Sequence, residues 1–330
     1  MIGLGIDTTF DDTSIAILKD KRQILANVTL SQYKEHERFG GVVPERASRK
    51  HLEVIHPLIE DAMVQAKLEF KDLNYITVSN LPGLLGSLLI GVIAAKAMAY
   101  SLRIPLIGVN HVEAHPYANF LSENTPEFPI IHLVVAGGHT LLMYARNHFD
   151  YEIIGRSQDD AAGECVDKVA KMFGQPMPGG PFVDACAMNF TSADYDFPRP
   201  LIHKPDYNFS FSGLKTAMLY FLKDHPDAIQ HKEHVLSSFF QSVTDVLLHK
   251  TFKAVKDYQV KSLSVSGGLA ASKKLRTCFE QRAQQENITL HYPPPSLCTD
   301  NAAMVACLGA YRFEANQWND MGLEAYPNIT

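Results

Sequence analysis

The segment GIDTTFDDTS at residues 5–14 puts three carboxylates, Asp7, Asp11 and Asp12, into one polar turn after an apolar run. Backbone N–H groups in such a turn can hold phosphate, and the carboxylates can hold a cation or position a reacting group. Asp11 and Asp12 are the candidates for a general base, and the sequence does not choose between them. A solvated hairpin turn uses the same residue types. Two further turns carry glycine pairs directly after apolar runs, VVAGGHT at 134–140 and SVSGGLAASKKLR at 264–276. Glycine there lets a ligand come close to the backbone. In the second turn, small residues at 270–272 leave room for a flat ligand, ahead of a helix N-terminus suited to phosphate. Together the three turns point to a nucleotide site, although no GxxxxGK[ST] loop occurs and no GxGxxG follows a strand.

A different chemistry is carried by NHVEAHPYANF at 110–120. His111 and His115 are four residues apart, so on a helix they share a face and can bind one metal. Asp300, in PSLCTDNAAM at 295–304, is either the N-cap of a following helix or the third ligand of a His–His–carboxylate site with open positions. Such a donor set suits iron or zinc. HVEAH differs from the zinc-peptidase HExxH, because Glu113 follows the first histidine by two residues and lies about 200° round the helix from it. Along 159–174, Asp160, Glu164, Asp167 and Lys168 lie on one helix, with Asp167 where it could face a ribose. Gly179 and Gly180 begin another helix with Asp184 one turn in, and a charged helix face beside a Gly-Pro loop is the plain alternative.

The elements that must position these residues alternate. Strands are expected at 2–6, 13–18 and 24–30, then a helix at 45–66 with Leu52, Ile55, Leu58, Ile59 and Met63 at helical spacing. A strand at 75–78, a helix at 84–102, a strand at 106–109 and a helix at 111–121 follow. The pattern restarts with strands at 130–135 and 141–145, helices at 161–173, 182–190, 213–222 and 234–258, and a strand at 262–265. A helix at 270–285, a strand at 288–292 and a helix at 300–313 complete it, with an irregular Pro- and aromatic-rich loop at 189–212. A strand–polar turn–strand unit thus occurs twice, about 130 residues apart. The fold class is α/β, two lobes of one plan at 1–129 and 130–330, with the nucleotide in a cleft.

Composition bounds the partners. Of 330 residues, 46% are hydrophobic and 20% charged, the balance of a folded enzyme. A net charge of -6 argues against a chain that grips RNA alone through a basic surplus. The five cysteines form no CxxC pair, which fits a reducing cytoplasm, and the N-terminus lacks the regions of a signal peptide. The most apolar stretch, 81–95, contains Pro82, Gly83, Gly86 and Gly91 and then meets Lys96, so it is expected to be a buried helix and not a membrane span.

Ten ordered segments, GIDTTFDDTSIAIL, FGGVVPERASRKH, LPGLLGSLLIG, GVNHVEAH, VVAGGHT, DDAAGECVDKVAK, PGGP, FSFSGLKTA, SVSGGLAAS and CTDNAAM, resemble the TsaD family of tRNA N6-adenosine threonylcarbamoyltransferases over nearly the whole chain. That resemblance implies an actin-like (sugar kinase and heat-shock ATPase) superfold. It also implies one divalent metal, Fe2+ first and Zn2+ second, on His111, His115 and Asp300. The implied donor is threonylcarbamoyl-AMP, on Val134, Val135, Ala136, Gly137 and Gly138, with Asp167, Gly180, Asp184 and Ser272 adding contacts. The implied acceptor is N6 of adenosine 37 in tRNAs reading codons that begin with A. The implied partners are a non-catalytic paralogue of TsaB type and a small ATPase of TsaE type, in the cytoplasm and away from membrane. The chain departs from the family pattern at Asp7, Thr9 and Phe10, where Glu, Ser and Cys are usual, and at Leu81, Ala136 and Ser272, where Gly, Ser and Asn are usual. The rival readings are an ATPase or kinase of the same superfold and, behind it, a metalloprotease.

Overall fold

A computed structural model describes residues 1–37, 39, 41–190 and 194–328. The chain divides into two units, Met1–Thr125 with Thr299–Thr330, and Pro126–Cys298. The crossing lies close to the expected boundary, but residues 299–330, expected with the second lobe, belong to the first. The reason is the last helix, whose Ala302, Ala303, Val305, Ala306 and Leu308 are small or apolar and fully buried against the first unit's strands.

In the first unit, strands β1 (Ile2–Asp7), β2 (Asp12–Lys19) and β3 (Gln23–Ser31) form an antiparallel meander. After helices α1 (Tyr33–Glu37) and α2 (Pro44–Ala66), strand β4 (Tyr75–Leu81), helix α3 (Leu85–Leu102) and strand β5 (Leu106–Asn110) follow, then the short helix α4 (His111–Ala114). The sheet order is β3-β2-β1-β4-β5, with β1, β4 and β5 parallel. Leu4, Ile6, Ile15, Ile17, Ile76 and Val78 make its core.

The second unit repeats the plan. Strands β6 (Ile130–Val135), β7 (Thr140–Ala145) and β8 (Tyr151–Arg156) form the meander. Helices α5 (Ala162–Met172), α6 (Gly180–Asn189), α7 (Ser212–Asp224) and α8 (Lys232–Asp257) come next. Strand β9 (Ser262–Ser266), helix α9 (Lys273–Glu286) and strand β10 (Thr289–His291) close the unit, and α10 (Ala302–Glu314) returns to the first. The order β10-β9-β6-β7-β8 is that of the first sheet, element for element. Of the loop expected at 189–212, residues 191–193 lie outside the described residues; 194–211 form neither helix nor strand beyond one bridge between Ser157 and Phe209.

Two expectations about helix faces need correction. Leu52, counted with the core positions of α2, is 65% exposed; His51, its neighbour, is buried in its place. Helix α3 is long and apolar enough to cross a membrane, yet it is not the buried helix expected, for only 33% of it is buried. It packs on β4 and α2 through Leu88, Val92, Ala95 and Ala99, and it leaves Leu85, Leu89, Ile93 and Tyr100 as an outward stripe.

Candidate functional site

Parallel strands end on the same edge of a sheet, so the ends of β1 and β5 bring Asp7 and Asn110 to one edge. The Asn110 side chain accepts from the N–H groups of Val112 at 2.8 Å and Glu113 at 3.3 Å, which starts α4 at His111. The single helix expected over 111–121 does not form. Pro116 offers no N–H to Val112, and the chain tightens into a 3-10 turn over His115–Leu121. The two histidine rings still meet, with centroids 4.9 Å apart and planes at 76°.

Asp300 faces both. Its Oδ2 lies 3.5 Å from His111 Nε2 and its Oδ1 lies 3.5 Å from His115 Nε2. Helix α10 is capped by Asn301, whose Oδ1 accepts from Met304 N at 3.0 Å, so Asp300 is not the cap. One ligand atom from each of His111, His115 and Asp300 lies within 4.8 Å of the others. Two imidazoles and a carboxylate converging so closely fit a divalent metal of the iron or zinc kind. Both histidines are buried, whereas the Asp300 side chain is 32% exposed and opens the site to solvent. Burial opposes a charge on His111, but Asp7 and Asp300 outweigh it and hold its pKa well above the ordinary imidazole range. Glu113 pairs with Arg312 at 3.5 Å and takes no part, which removes the catalytic glutamate that a peptidase reading needs.

The acidic turn lies in the same unit. Burial pushes the Asp12 carboxyl up to about 6, and its Oδ1 is buried with no hydrogen-bond partner among the described residues. Asp11 is raised as well, again by burial and against the pull of His36. A histidine that the sequence reading passed over holds this turn. His51, on α2 and fully buried, donates from Nε2 to the Phe10 carbonyl at 2.9 Å and accepts the Thr13 hydroxyl on Nδ1 at 2.7 Å. The available signal was a histidine at a core position of an amphipathic helix.

The second unit's site is built from backbone. Val134 and Val135 are buried strand residues, and the turn after them closes with Ala136 N donating to the His139 carbonyl at 2.9 Å. Neither Gly137 nor Gly138 has a positive φ, and a Cβ on either would meet nothing within 4 Å. Gly180 and Gly268 are open in the same way. At these four positions neither a positive φ nor packing among the described residues requires glycine, so the backbone is open to close approach. Gly267 is the opposite case, with φ +92° and a Cβ that would sit 2.6 Å from the Val135–Ala136 backbone.

Gly180, Asp184, Met188, Gly268, Leu269 and Ser272 line a cavity of about 460 Å³. Asp167 stands beside it, its Oδ1 accepting from Gly179 N at 2.7 Å. Burial raises the Asp167 carboxyl, and the Gly179 and Gly180 N–H groups partly offset that. Asp184 takes the N–H groups of Lys273 and Lys274, each at 3.0 Å, and the Ser272 hydroxyl. The Ser272 oxygen in turn accepts from Leu275 N. The N-terminus of α9, expected to hold phosphate, is therefore already occupied by a carboxylate of the same unit.

The chain matches the family model described as "TsaD: tRNA N6-adenosine threonylcarbamoyltransferase" over residues 23–307. A protein of that name from Halalkalibacterium halodurans is 46% identical over 329 residues, covering 99% of this chain and 95% of its own. Another from Clostridioides difficile is 42% identical over 331 residues, covering 100% and 98%. Among solved structures, component A of the (R)-2-hydroxyglutaryl-CoA dehydratase of Acidaminococcus fermentans has a TM-score of 0.56 at 15% identity, covering 96% of this chain and 99% of that one. At that identity the likeness carries the fold alone, which is the actin-like ATPase fold.

Proposed function

The chain belongs to the TsaD family of tRNA N6-adenosine threonylcarbamoyltransferases, and on that premise we propose how its residues divide the work of placing a threonylcarbamoyl group on N6 of an adenosine in tRNA. The first unit would hold one divalent metal on His111, His115 and Asp300. The second would hold the donor, threonylcarbamoyl-AMP, against 134–138 and the cavity at Gly180 and Gly268. The observation that carries this reading is the convergence of the three ligand atoms within 4.8 Å.

The acceptor nitrogen is a poor nucleophile, because its lone pair is delocalised into the purine ring. A donor with AMP as leaving group compensates. N6 attacks the carbamoyl carbon, the bond from that carbon to the phosphate oxygen breaks, and N6 loses a proton. When bound, the metal supplies Lewis-acid polarisation or charge stabilisation. The Gly137 and Gly138 N–H groups are the candidates to stabilise developing negative charge. For the proton, Asp12 is the better of the two bases. Its pKa of about 6 leaves it ionised at neutral pH while making it a stronger base than an ordinary carboxylate. The target base, which we take as adenosine 37 of tRNAs reading codons that begin with A, must be presented unstacked in a loop.

Charge and surface support a requirement for partner proteins. The net charge is -6, and several cations able to track a phosphate backbone have partners within the chain. Arg276 donates to the carbonyls of Ala270 at 2.6 Å and Pro293 at 2.8 Å, Arg49 pairs with Glu45 at 2.7 Å, and Lys50 pairs with Glu53 at 3.2 Å. The outward apolar stripe of α3, with the exposed Leu52 and Val64 of α2, suits a helical face of a TsaB-type paralogue, and a TsaE-type ATPase completes the set. Five free thiols suit the reducing cytoplasm we assign to the chain. The test of the metal assignment is chelator-stripped protein reloaded with Fe2+ or Zn2+ and analysed for bound metal. One ion per chain is expected, and binding of neither ion would overturn the reading.

A further inference from the structure

The Asp7 carboxylate ends β1 in the interior of the first unit, where an ionised group is costly unless it is fully bonded. Both of its oxygens are used. Oδ1 accepts from Thr9 N at 3.2 Å, and Oδ2 lies 2.8 Å from His111 Nδ1. On its other side, the same imidazole turns Nε2 toward Asp300 and shares that space with His115.

We infer that Asp7 is a positioning residue for the metal site: by accepting from His111 Nδ1 it fixes the tautomer that leaves Nε2 unprotonated and aimed at the ion. The inference rests on the reading of His111, His115 and Asp300 as metal ligands. A carboxylate at Nδ1 locks the ring's rotation and makes Nε2 a better donor, the second-partner arrangement common to ligating histidines. The Asp7 side chain is short and reaches only what stands close to the strand end. The register of β1, β4 and β5 puts His111 there.

The experiment is a competition titration of stripped full-length protein with Zn2+ against a chromophoric chelator, repeated with Co2+ to follow the ligand-field spectrum. Asp7→Asn keeps the size and removes the charge. It should weaken the metal by about 10–100-fold and perturb the Co2+ spectrum, while Asp7→Glu, which restores a carboxylate, should bind more tightly than Asp7→Asn. Affinity for Asp7→Asn within about twofold of wild type would overturn the inference. His111→Ala runs beside it. If that variant also binds like wild type, the metal-site reading itself fails, and the two failures are told apart. Should Asp7→Asn not fold, long-range 1H–15N spectra of metal-free wild type report the His111 tautomer directly. A proton on Nδ1, with Nε2 bare or also protonated, agrees with the inference; a proton on Nε2 alone contradicts it.

Discussion

In the first unit the site is made of side chains: two buried imidazoles, a half-open carboxylate, and a second buried carboxylate behind one ring. In the second unit it is made of missing ones, with four glycines whose Cβ positions are empty around a turn and a cavity of about 460 Å³. The two sheets share one strand order, so the difference lies in what the loops at the strand ends carry. Side-chain donors gathered at a strand end are suited to an ion. Bare backbone admits a flat or phosphorylated ligand through N–H groups and open volume. Damage to the two sites should therefore look different.

The largest effect is expected in the first unit. His111→Ala or His115→Ala removes a donor from a three-residue set, and metal affinity should fall by at least about 100-fold, since even residues that only orient such ligands are worth ~10–100-fold. Nucleotide affinity, which we assign to the second unit, should stay unchanged. Proton competition adds a sign check. Because the metal-free His111 pKa is held high, metal binding must displace a proton, so affinity should rise with pH through the neutral range. A pH-independent metal affinity would contradict it.

Next in size is Gly137→Val. Its side chain would enter space that no protein atom uses, so the melting temperature should hold while affinity for AMP, measured by calorimetry, falls by about tenfold or more, the scale of a modest steric conflict. Gly267→Ala should do the reverse and lower the melting temperature, because of its φ of +92° and a Cβ that would strike backbone at 2.6 Å. If both variants merely unfold, the second site is a packed turn and the contrast collapses.

Asp184→Ala uncovers the first N–H groups of α9 and should cost about 1 kcal/mol of stability by chemical denaturation, the usual worth of a lost cap. A separate effect, read against pH, is carried by Asp12. Its folded pKa of about 6 lies above the unfolded 3.8, so the folded state binds more protons between those values. Metal-free protein should therefore lose stability as pH rises from about 4 to about 6, and Asp12→Asn should lack that slope.

The glycine turns and the HxxxH pair were legible because each is a short, contiguous signal beside an apolar run. The junction of His111 and His115 with Asp300 was not, because nothing local in 111–121 and 295–304 states that the last helix returns to the first unit. Only the resemblance supplied it. The Asp184–Ser272 pairing was illegible for the same reason, its partners being 88 positions apart. Strand β8 went unread because Tyr151–Arg156 is a half-exposed edge with weak alternation, and the outward face of α3 because an all-apolar helix carries no periodicity to say which side is buried. His51 and Asp7 have a common lesson: polar residues at core positions marked the scaffold of the site, and the sequence alone did not say what they held.

Asp300→Ala tests the account most directly, because Asn301 and not Asp300 caps α10, so the variant should fold as wild type does. Wild type and variant would be incubated with the partner proteins, unmodified tRNA, threonylcarbamoyl-AMP and Fe2+ or Zn2+, and the tRNA nucleosides quantified by mass spectrometry. The account predicts threonylcarbamoyladenosine with wild type and a rate lower by on the order of 100-fold with Asp300→Ala, alongside loss of bound metal. Wild-type rates from an Asp300→Ala protein that binds no metal would contradict it.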